Sequence, residues 1–190
     1  MTGRTGAAMD IYLVRHGEAA ASWGQSSDPG LSELGKRQAE SSAQSLHGRV
    51  RGDIQLVSSP LLRARETAEP LASMLRLPVQ LDDVFCEIPA PVPLPQRQVW
   101  LRQFMQEQWA GQPEELWAWR AAASQHLLDL SRPTVVFTHF LVINAIVGLV
   151  LDRAETLCFM PDNASITHLR LTGDSLELVS LGDEMATVVN

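Results

Sequence analysis

The tetrapeptide Arg15-His16-Gly17-Glu18 follows directly on the apolar run Ile11-Tyr12-Leu13-Val14, and that position suggests a specific chemistry. An imidazole nitrogen can attack phosphorus when it is held neutral beside cations that offset the charge of an incoming phosphate. Arg15 supplies such a cation, and Gly17 permits close backbone approach. Glu18 either orients a neighbouring cation or is simply solvated. A four-residue motif also arises by accident in surface turns, so its weight depends on what accompanies it. Arg63 stands in Ser58-Ser59-Pro60-Leu61-Leu62-Arg63-Ala64-Arg65-Glu66-Thr67-Ala68, where a helix start already favours anions and a guanidinium can bind the same phosphate through two bonds. Arg65 better suits pairing with Glu66 or Glu69 on a solvated face. Thr138-His139 closes another apolar run. Taken alone, His139 reads as a satisfied core histidine. Three strand ends that deliver Arg-His, Arg and His together are a combination chance supplies much less often.

These residues must be positioned by the elements before and after them. Ile11–Val14, Ile54–Val57 and Thr134–Phe137 are short, β-prone and continuously apolar, as expected of strands covered on both faces. Helical spacing is found over 32–46, where Leu34, Gln38 and Ser42 recur four apart, and over 60–75. Ser59 is the expected cap of the latter, with Pro60 at its first position. Residues 114–130 and 143–151 give further helices. Strands alternating with helices indicate an α/β fold that binds its ligand beyond the carboxyl ends of the strands. Pro89, Pro91, Pro93 and Pro95 predict an extended loop over 88–98. Beyond it, Trp100/Phe104 and Leu101/Met105/Trp109 predict a short amphipathic helix. A terminal hairpin is expected from 165–171 and 176–181, joined by Thr172-Gly173-Asp174-Ser175. Residues 1–9 read as a flexible tail and 10–190 as one domain, with 88–112 a variable loop and helix insertion.

A chain of 190 residues with 45% hydrophobic side chains is long enough for one substantial core. A formal charge of -7 gives no broad basic field for nucleic acid or a membrane surface, so any anion site is local. Cys86 and Cys158 have neither metal-ligand spacing nor a disulfide framework and read as buried free thiols in a reducing cytoplasm. No apolar run approaches membrane-spanning length, and the start lacks the pattern of a secretory signal.

The ordered set of motifs resembles the histidine phosphatase superfamily, which includes the phosphoglycerate mutases and the smaller related phosphatases. Arg15-His16-Gly17-Glu18 looks like its signature, and Asp28 to Ala39 is similar to a second block. Arg63 matches its second phosphate arginine and His139 its second histidine, while Asn163-Ala164-Ser165-Ile166 resembles a late block. The resemblance implies a three-layer sandwich with a mostly parallel central sheet flanked by helices. It also implies His16 as nucleophile, Arg15, Arg63 and His139 as phosphate-binding residues, and no metal or other cofactor. The family pattern of a large apolar residue two before a glutamate selects Glu87 as the general acid. The chemistry agrees, because a proton donor at neutral pH should be partly buried, whereas Asp82 and Asp83 read as solvated turn carboxylates. The sequence departs from the pattern at several points. Phe140 replaces the glycine after the second histidine, Ala19 replaces a threonine after the signature and Ser22 replaces an asparagine. A proline run stands where a glycine-rich, tryptophan-containing stretch is usual. Phe140 and Ser22 thus occupy positions expected to meet substrate or phosphate.

The expected function is metal-independent hydrolysis of a small phosphorylated metabolite through a phosphohistidine on His16, in the cytoplasm, by a monomer or homodimer with no nucleic-acid or membrane partner. The alternatives are a phosphoglycerate-type phosphomutase, a non-catalytic binder of a phosphorylated ligand, and a plain interaction domain. A mutase is disfavoured by the short middle segment.

Overall fold

A computed structural model describes residues 7–21 and 28–185. In chain order the elements are strand β1 (Met9–Arg15), helix α1 (Glu33–Arg49), β2 (Gln55–Ser58), α2 (Leu62–Leu75), β3 (Val79–Leu81), α3 (Arg97–Phe104), α4 (Glu114–Leu128), β4 (Thr134–Thr138), α5 (Phe140–Val150), β5 (Ile166–Thr172) and β6 (Ser175–Ser180). The strands form one sheet in the order β3-β2-β4-β1-β5-β6. β1 to β4 run parallel, and β5 and β6 add an antiparallel edge beside β1.

Successive side chains on a strand point to opposite faces, and β1 displays the consequence. Tyr12 and Val14 join an apolar cluster with Ala43 and Leu46 of α1 and Ala68 and Leu71 of α2. Ile11 and Leu13 join the opposite cluster with Ala123 and Leu127 of α4 and Val142, Ile143, Ile146 and Val147 of α5. The fold is therefore the three-layer α/β sandwich with a mixed six-stranded sheet. A smaller cluster of Ile88, Leu101, Phe104, Trp109, Leu116, Phe140 and Leu141 ties the middle segment to the start of α5.

Several local expectations are corrected. Leu34 is 42% exposed, and the buried face of α1 is instead Gly35, Ala39, Ser42, Ala43 and Leu46. The cap position of α2 is Leu61, which makes no side-chain capping bond; Ser59 Oγ accepts from Leu61 N (3.3 Å) just before the helix and also meets His139 Nε2. Part of the proline-rich stretch is regular, since Leu94–Gln96 forms a single 3-10 turn that runs into α3 at Arg97. α5 starts at Phe140, three residues earlier than the apolar spacing suggested. β1 includes Met9, the last residue of the expected tail. Cys86 and Cys158 are free thiols, but only half-buried.

Candidate active site

The signature loop leaves the carboxyl end of β1, and each of its backbone amides is held by a different part of the chain. Arg15 N donates to Ser165 O (3.2 Å) and His16 N to Thr138 O (3.0 Å). Gly17 N donates to Thr67 Oγ1 (3.0 Å) and Glu18 N to Gln38 Oε1 (2.8 Å). The Glu18 carboxylate accepts from Ser32 Oγ (2.6 Å), which also caps α1 by accepting from Gly35 N. The approach of the loop to α1 requires glycine on both sides. A Cβ on Gly17 would stand 2.5 Å from Gly35 O, and one on Gly35 would stand 2.1 Å from Glu18 O.

His16 is 5% exposed. Its Nδ1 lies 2.7 Å from Gly17 O, and a carbonyl only accepts, so Nδ1 carries the hydrogen and Nε2 keeps its lone pair. That lone pair accepts from Arg63 Nε at 3.2 Å. Burial, reinforced by the charges of Arg63 and Arg15, lowers the His16 pKa from 6.5 to about 3. The ring is thus neutral with an unprotonated nitrogen beside two cations, the protonation state a nucleophile requires.

The sheet brings the other named residues to the same edge. Arg63, in the first turn of α2, is buried. Its partner Thr67, one turn later, donates to Arg63 O (2.7 Å) while accepting from Gly17 N. Asp28 Oδ1 lies 4.0 Å from Arg63 Nη1 and accepts from Leu62 N. His139 follows β4 at the cap position of α5, with its ring centroid 5.3 Å from that of His16 and its Nε2 2.8 Å from Ser59 Oγ. Its pKa too is pushed far down, first by burial and then by the charges around it. Arg15 Nη1 donates to Pro161 O (2.8 Å), and its guanidinium carbon lies 5.1 Å from the centre of the Phe140 ring. Among the described residues Arg15 Nε and His139 Nδ1 are buried without a hydrogen-bond partner. Buried polar atoms are rarely left so.

Glu87 is buried, and its Oε1 accepts from Ile88 N (3.1 Å) and Leu141 N (3.2 Å). Burial raises its pKa, outweighing these two bonds and the nearby charges of Arg63 and Arg97. Phe140 is also buried, and its ring packs under the Arg15 guanidinium rather than lining the opening. Ser22 lies outside the described residues. The opening is a cleft of about 330 Å³ whose walls include Arg15, His16, Glu18, Ala19, Gln98 and Asn163. Sequence reasoning did not assign Ser59, Thr67, Gln38 or Gln98 to the site. Thr67 had a readable signal, since it lies one helical turn beyond Arg63.

The sequence profile of the histidine phosphatase superfamily (branch 1) matches residues 11–184. The chain belongs to this superfamily. Among solved structures, a mycobacterial glucosyl-3-phosphoglycerate phosphatase superposes with a TM-score of 0.74 at 24% identity, covering 94% of this chain and 100% of that one. A phosphoserine phosphatase from Entamoeba histolytica superposes with a TM-score of 0.73 at 23% identity, covering 93% and 98%. At such identities the superpositions establish a shared fold. The bifunctional protein Rv2228c of Mycobacterium tuberculosis is 39% identical over 90 residues, which is 45% of this chain and 24% of that protein. The match thus spans about a quarter of that relative's length. In this histidine phosphatase superfamily member, no group of three or more His, Cys, Asp or Glu among the described residues is arranged to hold a metal ion. No helix among them is long and apolar enough to cross a membrane.

Proposed function

We propose that the protein hydrolyses a small phosphorylated metabolite without a metal ion, through a phosphohistidine on His16. The observation that carries the reading is the fixed tautomer of His16: Nδ1 donates to Gly17 O, leaving the Nε2 lone pair next to the Arg63 guanidinium. In the first step Nε2 attacks phosphorus in line. The bond from phosphorus to the ester oxygen breaks, its electron pair goes to that oxygen, and the Glu87 carboxyl group supplies the proton that releases a neutral alcohol. In the second step Glu87, now ionised, takes a proton from water as the hydroxide oxygen attacks phosphorus. The N–P bond then breaks, leaving inorganic phosphate, neutral His16 and protonated Glu87.

Each residue's surroundings suit its role. Burial keeps His16 neutral and shifts Glu87 toward its protonated form, the directions that a nucleophile and a proton donor require. Arg15, Arg63 and His139 would stabilise charge on the equatorial oxygens, a task that in this class falls to preorganised donors. The named substrates of the two superposable phosphatases, glucosyl-3-phosphoglycerate and phosphoserine, favour a small metabolite as substrate. The test is hydrolysis of an aryl phosphate in the presence of chelator, comparing wild type with His16→Ala. Activity that persists with chelator and disappears with His16, together with an acid-labile phosphoprotein in the wild type, is the expected result. A fully active His16→Ala protein would overturn the assignment.

A further inference from the structure

A second cleft, of about 410 Å³, is lined by α1, the β5–β6 hairpin with the residues after it, and residues 162–165. Its size falls within the range of small-molecule pockets, ~300–1,000 Å³. Ser42 on α1 and Ser165 opposite are 7% and 6% exposed. Both line this cleft, and neither hydroxyl has a hydrogen-bond partner among the described residues. Buried hydroxyls are rarely left without a partner, and both of these residues border the same cavity. Gly182 maintains the opening, since a Cβ there would stand 3.0 Å from Ser165 Oγ.

We propose that this cleft is a second binding site, separate from the phosphate pocket, for a small neutral polyol such as a monosaccharide or cyclitol. The lining selects the class. Serine hydroxyls and the amides of Gln38 and Asn163 surround the space, with Arg49 set against Asp162 and Asp183. An anion would meet two carboxylates for one guanidinium. A cation could donate to the serine oxygens but could accept none of the protons that serine and amide groups offer. A hydroxyl group both donates and accepts, so it pairs with serine, amide and carboxylate alike.

An occupant would also touch the supports of the signature loop. Gln38 holds Glu18 N, Ser165 O accepts from Arg15 N, and Ala164 N donates to His16 O. Ala164 makes that bond from a left-handed backbone conformation, φ 56°, which is strained for a residue with a side chain. Asn163 lines both this cleft and the one at His16.

The test is a titration of the isotope-labelled full chain, followed by amide resonances, with myo-inositol, glucose and glycerol, and with sulfate and putrescine as charged controls. Binding is read without turnover, so its failure is distinguishable from failure of the phosphatase reading. The expected result is saturable shifts at Ser165, Gly182 and Glu18 with at least one polyol. Ser42→Val should weaken that binding about tenfold, the scale of one buried hydrogen bond. Ser41→Trp, at an exposed position on the cleft wall, should block it even if the valine variant fails to fold. Absence of saturable shifts with every polyol, shifts that survive in the folded variants, or preferential binding of sulfate or putrescine would each overturn the proposal.

Discussion

His16→Gln should make the protein more resistant to mild acid than the wild type. The folded-state pKa of His16 is about 3, whereas an unfolded histidine titrates near ~6.5. Between those values the unfolded chain takes up a proton that the folded chain refuses, so wild-type stability falls as pH drops below about 6.5. Linkage over this single site gives a penalty of about 0.2 kcal/mol at pH 7 and about 2 kcal/mol at pH 5. The pH 5 figure hardly depends on the folded value, since any folded pKa below about 4 leaves the native ring unprotonated there. Glutamine does not titrate, and contributions from Glu87 and His139 are common to both proteins and cancel to first order. The measurement is urea unfolding followed by tryptophan fluorescence, with five tryptophans as reporters. Relative to wild type, His16→Gln should gain about 2 kcal/mol between pH 7 and pH 5. Identical pH dependence in the two proteins would mean that His16 is not held neutral, and the case for its lone pair as nucleophile would collapse with it.

Glu87→Gln should lower turnover of alkyl phosphates by roughly 10²–10⁴-fold, with a smaller loss for aryl phosphates, whose leaving oxygen needs less help from a proton. Because burial raises the Glu87 pKa, wild-type kcat/KM should decline as pH rises through that elevated value, and the glutamine variant should lack this limb in a pH-rate profile. Arg63→Ala should cost about 10²–10³-fold in kcat, the usual loss for a preorganised donor, and steady-state kinetics with unchanged kcat would remove it from the machinery. Gly35→Ala changes no reacting residue but drives a methyl group into Glu18 O. A thermal scan should read a loss of about 1–3 kcal/mol, with kcat/KM falling through displacement of the loop, and unimpaired activity would show that the loop tolerates the shift.

Much of this candidate site could be read because an open α/β sheet presents its ligand-facing residues where apolar strands end. The runs at 11, 54 and 134 marked β1, β2 and β4, and the polar residues after them carry Arg15, His16 and His139. What escaped was decided by tertiary contacts. Ser59 had the local chemistry of a helix cap, yet it lies within bonding distance of His139, a residue 80 positions later. Leu34 fitted a helical stripe, but the signature loop crosses that end of α1 and needs the bare backbone of Gly35 against it. β3 is only three residues long, too short for an alternating pattern. Phe140 occupies a position expected to meet substrate or phosphate. Its ring is instead turned inward beneath Arg15, which no local pattern could have revealed.

The position of β1 in the sheet has a consequence for how the protein is made. His16, the proposed nucleophile, directly follows β1, whose neighbours in the sheet are β4 and β5, much later in the chain, with Ile11 opposite both Thr134 and Leu169. Contacts so distant in sequence are slow to form because the intervening chain must be closed into a loop first. At roughly 5–20 residues per second of synthesis, His16 waits several seconds for the strands that fix its backbone. Assembly of the site is therefore among the last events of folding, and recovery of catalytic activity during refolding should report completion of the whole sheet.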